Sequence, residues 1–215
     1  MAHSDADAII LIIVGAGGCG MMAARVAAGK GVSVLLLEKT DQPGGSTAFS
    51  SRGIRASGSR FQRALGIDDS PEQYARDIFG RNSNESDVAL TNRLAEVSGR
   101  VADFLADVAR INFSGGEFVF GHSARRAHSW KEDKTITDFL SEAVERESNI
   151  QVRFSTSVLG FQHADDGTVN GDVTESGVIP AAKVILASGG FGASQELLTQ
   201  YIPAVADVHL PGHQG

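Results

Sequence analysis

Two kinds of apolar pattern alternate along the chain. Ile9 to Val14 is an unbroken, mostly β-branched run, which predicts a strand buried on both faces of a parallel sheet. A glycine-rich turn follows, and the small residues from Met21 to Ala28 predict a helix packed closely on that sheet, ended by Gly29 and Gly31. Ser33 to Leu37 predicts a second buried strand, so residues 9–38 read as one βαβ unit.

Beyond it the period changes. Asp41 to Gly58 is rich in Gly and Ser, has no clear period and predicts a loop. Ser70-Pro71-Glu72-Gln73 is a helix start, with Ser as N-cap, Pro at the first helical position and Gln three residues after the cap. Leu94, Val97, Val101, Phe104 and Val108 recur at spacings of three and four, predicting an amphipathic helix from Asp87 to Arg110 with those side chains on its core face. Thr135 with Asp138 can cap a further helix whose apolar face is Ile136, Phe139, Leu140, Ala143 and Val144. From Gln151 the pattern turns to short strands, with hairpin signals at Asp165-Asp166-Gly167 and Ser176-Gly177. Lys183 to Ala187 predicts a last buried strand, running directly into Ser188-Gly189-Gly190; the tail beyond Tyr201 has no clear period. The fold class is therefore α/β: a Rossmann-like domain with a parallel sheet, a helical insertion and a small antiparallel β element.

Composition narrows the partners. A net charge of −7 with no basic run argues against nucleic acid. The single cysteine, Cys19, excludes an intrachain disulfide and any multi-cysteine metal site, which fits a reducing compartment. The apolar stretch from Ala8 to Val14 follows Asp5 and Asp7; it is too short to span a bilayer and lacks the basic start of a signal peptide. The expectation is a cytoplasmic protein without a membrane span.

Gly15-Ala16-Gly17-Gly18-Cys19-Gly20 fits the G-x-G-x-x-G pattern. Its context gives the match weight: it follows a buried strand, opens a helix of small residues, and has an acidic residue, Glu38, at the tip of the next strand. Gly15 permits the tight turn, Gly17 lets a pyrophosphate approach the backbone, and Gly20 lets helix and strand pack. The helix N-terminus carries about half a positive charge toward the pyrophosphate. Glu38 can accept hydrogen bonds from an adenosine ribose and would repel the 2′-phosphate of NADP. NAD and FAD both remain open on this motif.

The rest of the chain resembles one family of flavoproteins. Leu37-Glu38-Lys39, Gly44-Gly45-Ser46-Thr47 and Gly53-Ile54 are similar to segments of the fumarate reductase and succinate dehydrogenase family, which includes 3-ketosteroid dehydrogenases, urocanate reductase and L-aspartate oxidase. Gly121 to His128, Thr156-Ser157-Val158 and Ile185 to Gly192 resemble later segments in the same order. The resemblance implies FAD as cofactor, with Glu38 on the ribose and Ser46, Thr47 and Gly53 lining the pyrophosphate and flavin ring. Val158 would present its backbone to adenine and Ala187 would close the pocket. Lys39, Gly45, Ser188 and Gly189 stand beside them in the same segments. Ser46 stands where membrane-bound members carry the flavin-attaching His, so the resemblance implies noncovalent FAD. The implied activity is hydride transfer between flavin and a C–C bond next to a carbonyl or carboxylate. The partners would be a small-molecule substrate and an electron donor or acceptor.

Three departures stand out. Ser51-Arg52 replaces a pair of small residues before Gly53, and Ser129 to Asp133 offers no glycine turn after His128. Family members are also much longer. The expectation is an FAD-binding domain over residues 1–192, incomplete at its end, with 193–215 leading toward a capping domain not contained in the chain, and no turnover by these residues alone. His122, His128, Arg125 and Arg126 read equally well as structural or solvated side chains, and Cys19 as a contributor of its backbone N–H only. The other readings are an NAD-dependent Rossmann dehydrogenase and a noncatalytic FAD-binding remnant.

Overall fold

The computed structural model describes residues 11–50 and 52–205. In chain order the elements begin with β1 (Leu11–Val14), α1 (Gly18–Ala28), β2 (Val34–Leu37), a 3-10 turn (Gly45–Phe49) and β3 (Gly53–Arg55). Then come α2 (Arg60–Ala64), α3 (Pro71–Arg81), α4 (Val88–Val108), β4 (Ala127–Ser129), α5 (Ile136–Glu145) and β5 (Ile150–Arg153). The described chain closes with β6 (Val158–His163), β7 (Val169–Thr174), β8 (Gly177–Pro180), β9 (Lys183–Leu186) and α6 (Gln195–Tyr201). Two compact units emerge: residues 1–50 with 136–215, and residues 51–135.

The first unit is built on a parallel sheet in the order β5-β2-β1-β9. The predicted βαβ unit is its centre; Ile9 and Ile10 of the predicted first strand lie outside the described residues. Helix α1 starts at Gly18, earlier than its apolar residues suggest. Ile12, Leu35 and Leu37 pack with Ala181, Val158 and Ile179, which seats the β6-β7-β8 meander on one face of the sheet. By the alternation of strand side chains, Ile13, Val34 and Leu36 point to the other face. Ile136, Phe139, Leu140, Ala143 and Val144 of α5 are all buried, as their spacing predicts. Both hairpin signals fall at the turns of the meander, where Gly167 and Gly177 take positive φ. The last strand departs from expectation. Among the described residues β9 pairs only with β1, so it is an edge strand, and Ile185 and Leu186 are exposed rather than buried.

Asp172 is the one charge-bearing residue on the inner side of the meander. It lies on β7 opposite Ile179, is fully buried, and neither carboxylate oxygen has a hydrogen-bond partner among the described residues. Burial raises its pKa above the ordinary carboxylate value. A raised pKa means the folded state favours the neutral acid. Its contribution is therefore unimpaired below the unfolded value, near 4, and stability is lost as pH climbs through the raised folded value. Asp172→Val is expected to stabilise the protein at pH 7 by about 1–3 kcal/mol and to remove that part of the decline above pH ~4. Urea unfolding at several pH values measures it, and an unchanged midpoint would contradict this account of the residue.

The second unit has a two-stranded ribbon and three helices. Its ribbon pairs β3 antiparallel to β4, Gly53 opposite Ser129 and Arg55 opposite Ala127. Half of that ribbon lies inside the stretch from Asp41 to Gly58 expected to be a loop, as does the 3-10 turn; both are too short to show a period. Ser59 and Gln62 form a capping box at α2, and the Ser70 hydroxyl accepts from Gln73 N–H at the start of α3. Asp87 caps α4 through Leu90 N–H.

The predicted core face of α4 is wrong. The buried stripe is Thr91, Ala95, Ser98, Gly99, Ala102 and Leu105, while Leu94 and Val101 are 51% and 37% exposed. The reason is close approach. Ser57 N–H donates to the Ser98 hydroxyl at 3.0 Å and the Ser57 hydroxyl to the Ala95 carbonyl at 3.1 Å. Only small residues let the helix backbone come that near, so size rather than hydrophobicity selects the inward face.

Candidate functional site

Within the first unit, the C-terminal ends of β1, β2 and β9 open onto a cleft of about 570 Å³. Its walls include Gly15, Glu38, Lys39, Val158, Ser188 and Gly189. Chain connections leave β1 toward β2 on one side and meet β9 on the other. A crevice outside the carboxyl ends at such a reversal is where open α/β sheets bind ligands. The volume is within the range of small-molecule and cofactor sites.

The glycine turn is held at several points by neighbouring chain. Gly15 N–H donates to the Leu37 carbonyl at 2.7 Å, and Ala187 N–H donates to the Val14 carbonyl at 2.8 Å. Gly15 has φ +105°, and a Cβ there would lie 2.6 Å from the Ala187 carbonyl oxygen, so no other residue fits. Gly17 is the N-cap of α1 and brings no side-chain cap for the first-turn N–H groups. The Thr47 hydroxyl accepts from Gly18 N–H at 3.3 Å, and Gly44 N–H donates to the Ala16 carbonyl at 3.2 Å. The 3-10 turn carrying Gly45, Ser46 and Thr47 therefore lies directly against the start of α1. Cys19 is exposed in that first turn.

Glu38 closes the other side. One carboxylate oxygen accepts from Ala16 N–H at 2.7 Å; the other accepts from Thr40 N–H and is within 3.0 Å of the Thr40 hydroxyl. The β2–β5 ladder continues past the strands: Glu38 N–H donates to the Arg153 carbonyl, Thr156 N–H to the Glu38 carbonyl and Ser155 N–H to the Thr40 carbonyl. These bonds bring Thr156, Ser157 and Val158 to the rim beside Glu38.

All but one of the residues expected to bind cofactor thus belong to one neighbourhood of the first unit. Gly15, Glu38, Lys39, Val158, Ser188 and Gly189 line the cleft; Gly17, Gly18, Cys19, Gly20, Gly45, Ser46 and Thr47 form the adjoining turn, and Ala187 underlies it. Gly53 belongs to the second unit, on β3. The expectation left out Thr156, Ser157, Phe191 and Ser194, which also line the cleft. Their signal was present: they flank Val158 and the Gly189-Gly190 pair in sequence, and Ser194 is the N-cap of α6.

The remaining candidates lie in the second unit. Arg126 is fully buried and bonds Asp69 through Nε at 2.9 Å and Nη2 at 2.6 Å. It also pairs with Asp77 and lies 4.7 Å from the centre of the Tyr74 ring. His128 is fully buried between Phe61 and Phe113. A carbonyl can only accept, so His128 Nδ1–H donates to the Arg126 carbonyl at 2.8 Å and Nε2 accepts from the Ser59 hydroxyl at 2.6 Å. Burial lowers the His128 pKa and so favours this neutral form. Both side chains are satisfied by partners inside the unit. Arg125 is exposed. The two local departures meet each other: Arg52 forms an ion pair with Asp133, so the unusual arginine is held by the turn that lacks glycine.

The donor set suits an adenine dinucleotide: a glycine turn opening a helix, a carboxylate at the tip of the next strand, and a cleft rim with serine and threonine hydroxyls. Among the described residues no group of three or more His, Cys, Asp or Glu is placed to hold a metal ion, and no helix is long and apolar enough to cross a membrane.

Comparison with known proteins bears on the same point. The profile of a family described as FAD binding domain matches residues 11–214. A probable fumarate reductase of Shewanella frigidimarina is 29% identical over 97% of this chain, and a urocanate reductase of Eggerthella lenta is 31% identical over 90%. The open form of a flavocytochrome c3 fumarate reductase superposes with a TM-score of 0.82 at 29% identity, over 95% of this chain. The chain spans 37% of the length of that fumarate reductase from Shewanella and 33% of the urocanate reductase.

Proposed function

We propose, from the premise that the chain belongs to the FAD-binding domain family, that it forms the FAD-holding part of a fumarate reductase-like oxidoreductase. The observation that carries the proposal is the convergence of the glycine turn, Glu38 and the β9 exit on one cleft at the strand reversal. When bound, the flavin supplies hydride transfer, here to or from a C–C bond beside a carbonyl or carboxylate. The chain's own residues bind and orient. The α1 start and the Gly15–Gly20 backbone hold the pyrophosphate, with Ser46 and Thr47 beside it, and Lys39 stands next to the ribose site. Glu38 takes a ribose hydroxyl on the lone pair its clamp leaves free. Val158 meets adenine through its backbone, while Ala187, Ser188 and Gly189 close the cleft behind it. Attachment is noncovalent, since Ser46 offers no nucleophilic ring nitrogen. Residues 1–192 make up this cofactor domain, and the reading includes a cytoplasmic setting with a small-molecule substrate and an electron donor or acceptor.

The test uses the purified chain loaded with FAD. Acid precipitation is expected to leave all the flavin in the supernatant. Oxidation of a reduced dye by fumarate, urocanate or a 3-ketosteroid is expected to stay at the rate of free FAD, because catalysis needs a substrate held in near-attack geometry with water excluded. Flavin carried down with the protein would contradict noncovalent attachment, and dye oxidation dependent on both chain and substrate would contradict the expected absence of turnover.

A further inference from the structure

Glu38 makes more bonds inside the chain than a ribose acceptor requires. Its carboxylate reaches back to the amide of Ala16, inside the glycine turn, and is itself held by Thr40. Thr40 is not part of the cleft wall. Its side chain meets the cleft wall at Glu38. We propose that Thr40 is a positioning residue for dinucleotide binding, fixing the Glu38 carboxylate so that Glu38 clamps the glycine turn as well as meeting the ribose. The inference rests on the dinucleotide reading of the cleft.

The geometry gives each oxygen of Glu38 a separate duty. The Thr40 amide and hydroxyl both address Oε1 at 3.0 Å, which turns Oε2 toward Ala16 N–H at 2.7 Å. A carboxylate accepts up to about four hydrogen bonds. Oε1 is filled by its two donors, and Oε2 keeps one position for a ribose hydroxyl. Clamping Ala16 fixes the residue between Gly15 and Gly17, and with it the direction of the amides that follow. The Thr40 backbone is fixed in turn, because its carbonyl accepts from Ser155 N–H at 2.8 Å on the neighbouring strand. The Thr40 hydroxyl has one proton and also stands 2.8 Å from the Gln42 carbonyl, so it serves Glu38 for only part of the time. Its loss should accordingly weaken the clamp and not abolish it.

Thr40→Val tests this without changing charge, while Thr40→Ser keeps the hydroxyl. The probe is ADP, which contains the ribose and pyrophosphate and no flavin. Thr40→Val is expected to raise the Kd for ADP about threefold, as for partial loss of one hydrogen bond to a charged group, and Thr40→Ser to stay at the wild-type value. In the ligand-free protein, amide hydrogen exchange at Ala16 should quicken about threefold in Thr40→Val and remain unchanged in Thr40→Ser. Wild-type ADP affinity together with wild-type exchange at Ala16 in Thr40→Val would overturn the proposal. So would weaker ADP binding with unchanged Ala16 exchange, since the effect would then bypass the clamp. Failure of the wild-type chain to bind ADP at all would refute the dinucleotide reading, and the exchange measurement would still decide the clamp.

Discussion

Gly20→Ala is expected to destroy dinucleotide binding and to destabilise the first unit by about 3 kcal/mol or more. An added Cβ would lie 1.8 Å from the Gly15 carbonyl oxygen and 3.4 Å from the Ala187 side chain. The carbonyl cannot yield cheaply, while the Ala187 contact is ordinary. The Gly15 carbonyl is backbone in a turn already fixed at φ +105°, pinned to β2 on one side and β9 on the other. Relief requires α1 to move away from the sheet, which undoes the packing of Met21 and Ala24 and withdraws the helix start from the cleft. The neighbouring Cys19→Ala change is the control. That side chain is exposed and contributes to the turn through its backbone, so FAD affinity should stay within about twofold. Titration with FAD and urea unfolding measure both variants. Normal affinity in Gly20→Ala would show that the turn does not hold the pyrophosphate.

The second large effect belongs to the other unit. Arg126→Met should destabilise it by about 3–5 kcal/mol, the usual result of removing one partner from a buried ion pair. The guanidinium and the Asp69 carboxylate are both fully buried, and Arg126 also holds Asp77 and covers Tyr74. Methionine replaces the stem and leaves Asp69 with a buried charge. Adding Asp69→Asn to Arg126→Met should recover part of the loss, because the uncompensated charge is then gone; the coupling between the two changes is the quantity to measure. A loss below about 1 kcal/mol for Arg126→Met would mean that water reaches Asp69 freely.

The parts of the fold that were legible before the structure are those written in local sequence. The βαβ unit announces itself in two apolar runs around a glycine turn, and the apolar face of α5 in its spacing. The N-cap at Ser70 and the two hairpin turns are fixed by residues a few positions apart. What was misread depends on distant contacts. β3 and β4 are three residues each and find one another across more than seventy positions. On α4, large apolar residues at helical spacing pointed to the wrong face, because the loop at Ser57 comes so close that only Ala, Ser and Gly can lie beneath it. β9 has the composition of a central strand but a neighbour on one side only.

The candidate site divides in the same way. The glycine turn and Glu38 are singled out by spacing and context alone, and the structure brings both to one cleft. That Glu38 reaches back to Ala16, and that Thr40 holds it there, follows from a side-chain rotamer no pattern encodes. For His128 and Arg126 the sequence left structural and solvated readings open, because they sit in a polar segment with other basic residues. Their burial comes from Phe61, Phe113, Asp69 and Asp77, all far away in sequence.

The measurement that bears most directly on the central claim is a parallel titration of the purified 215-residue chain with FAD and with NAD, followed by flavin fluorescence and by calorimetry. The account predicts saturable, one-to-one binding of FAD, a yellow protein after gel filtration, and no saturable binding of NAD at concentrations that fill the FAD site. A folded chain that leaves FAD unbound, or that takes up NAD in preference, would contradict it.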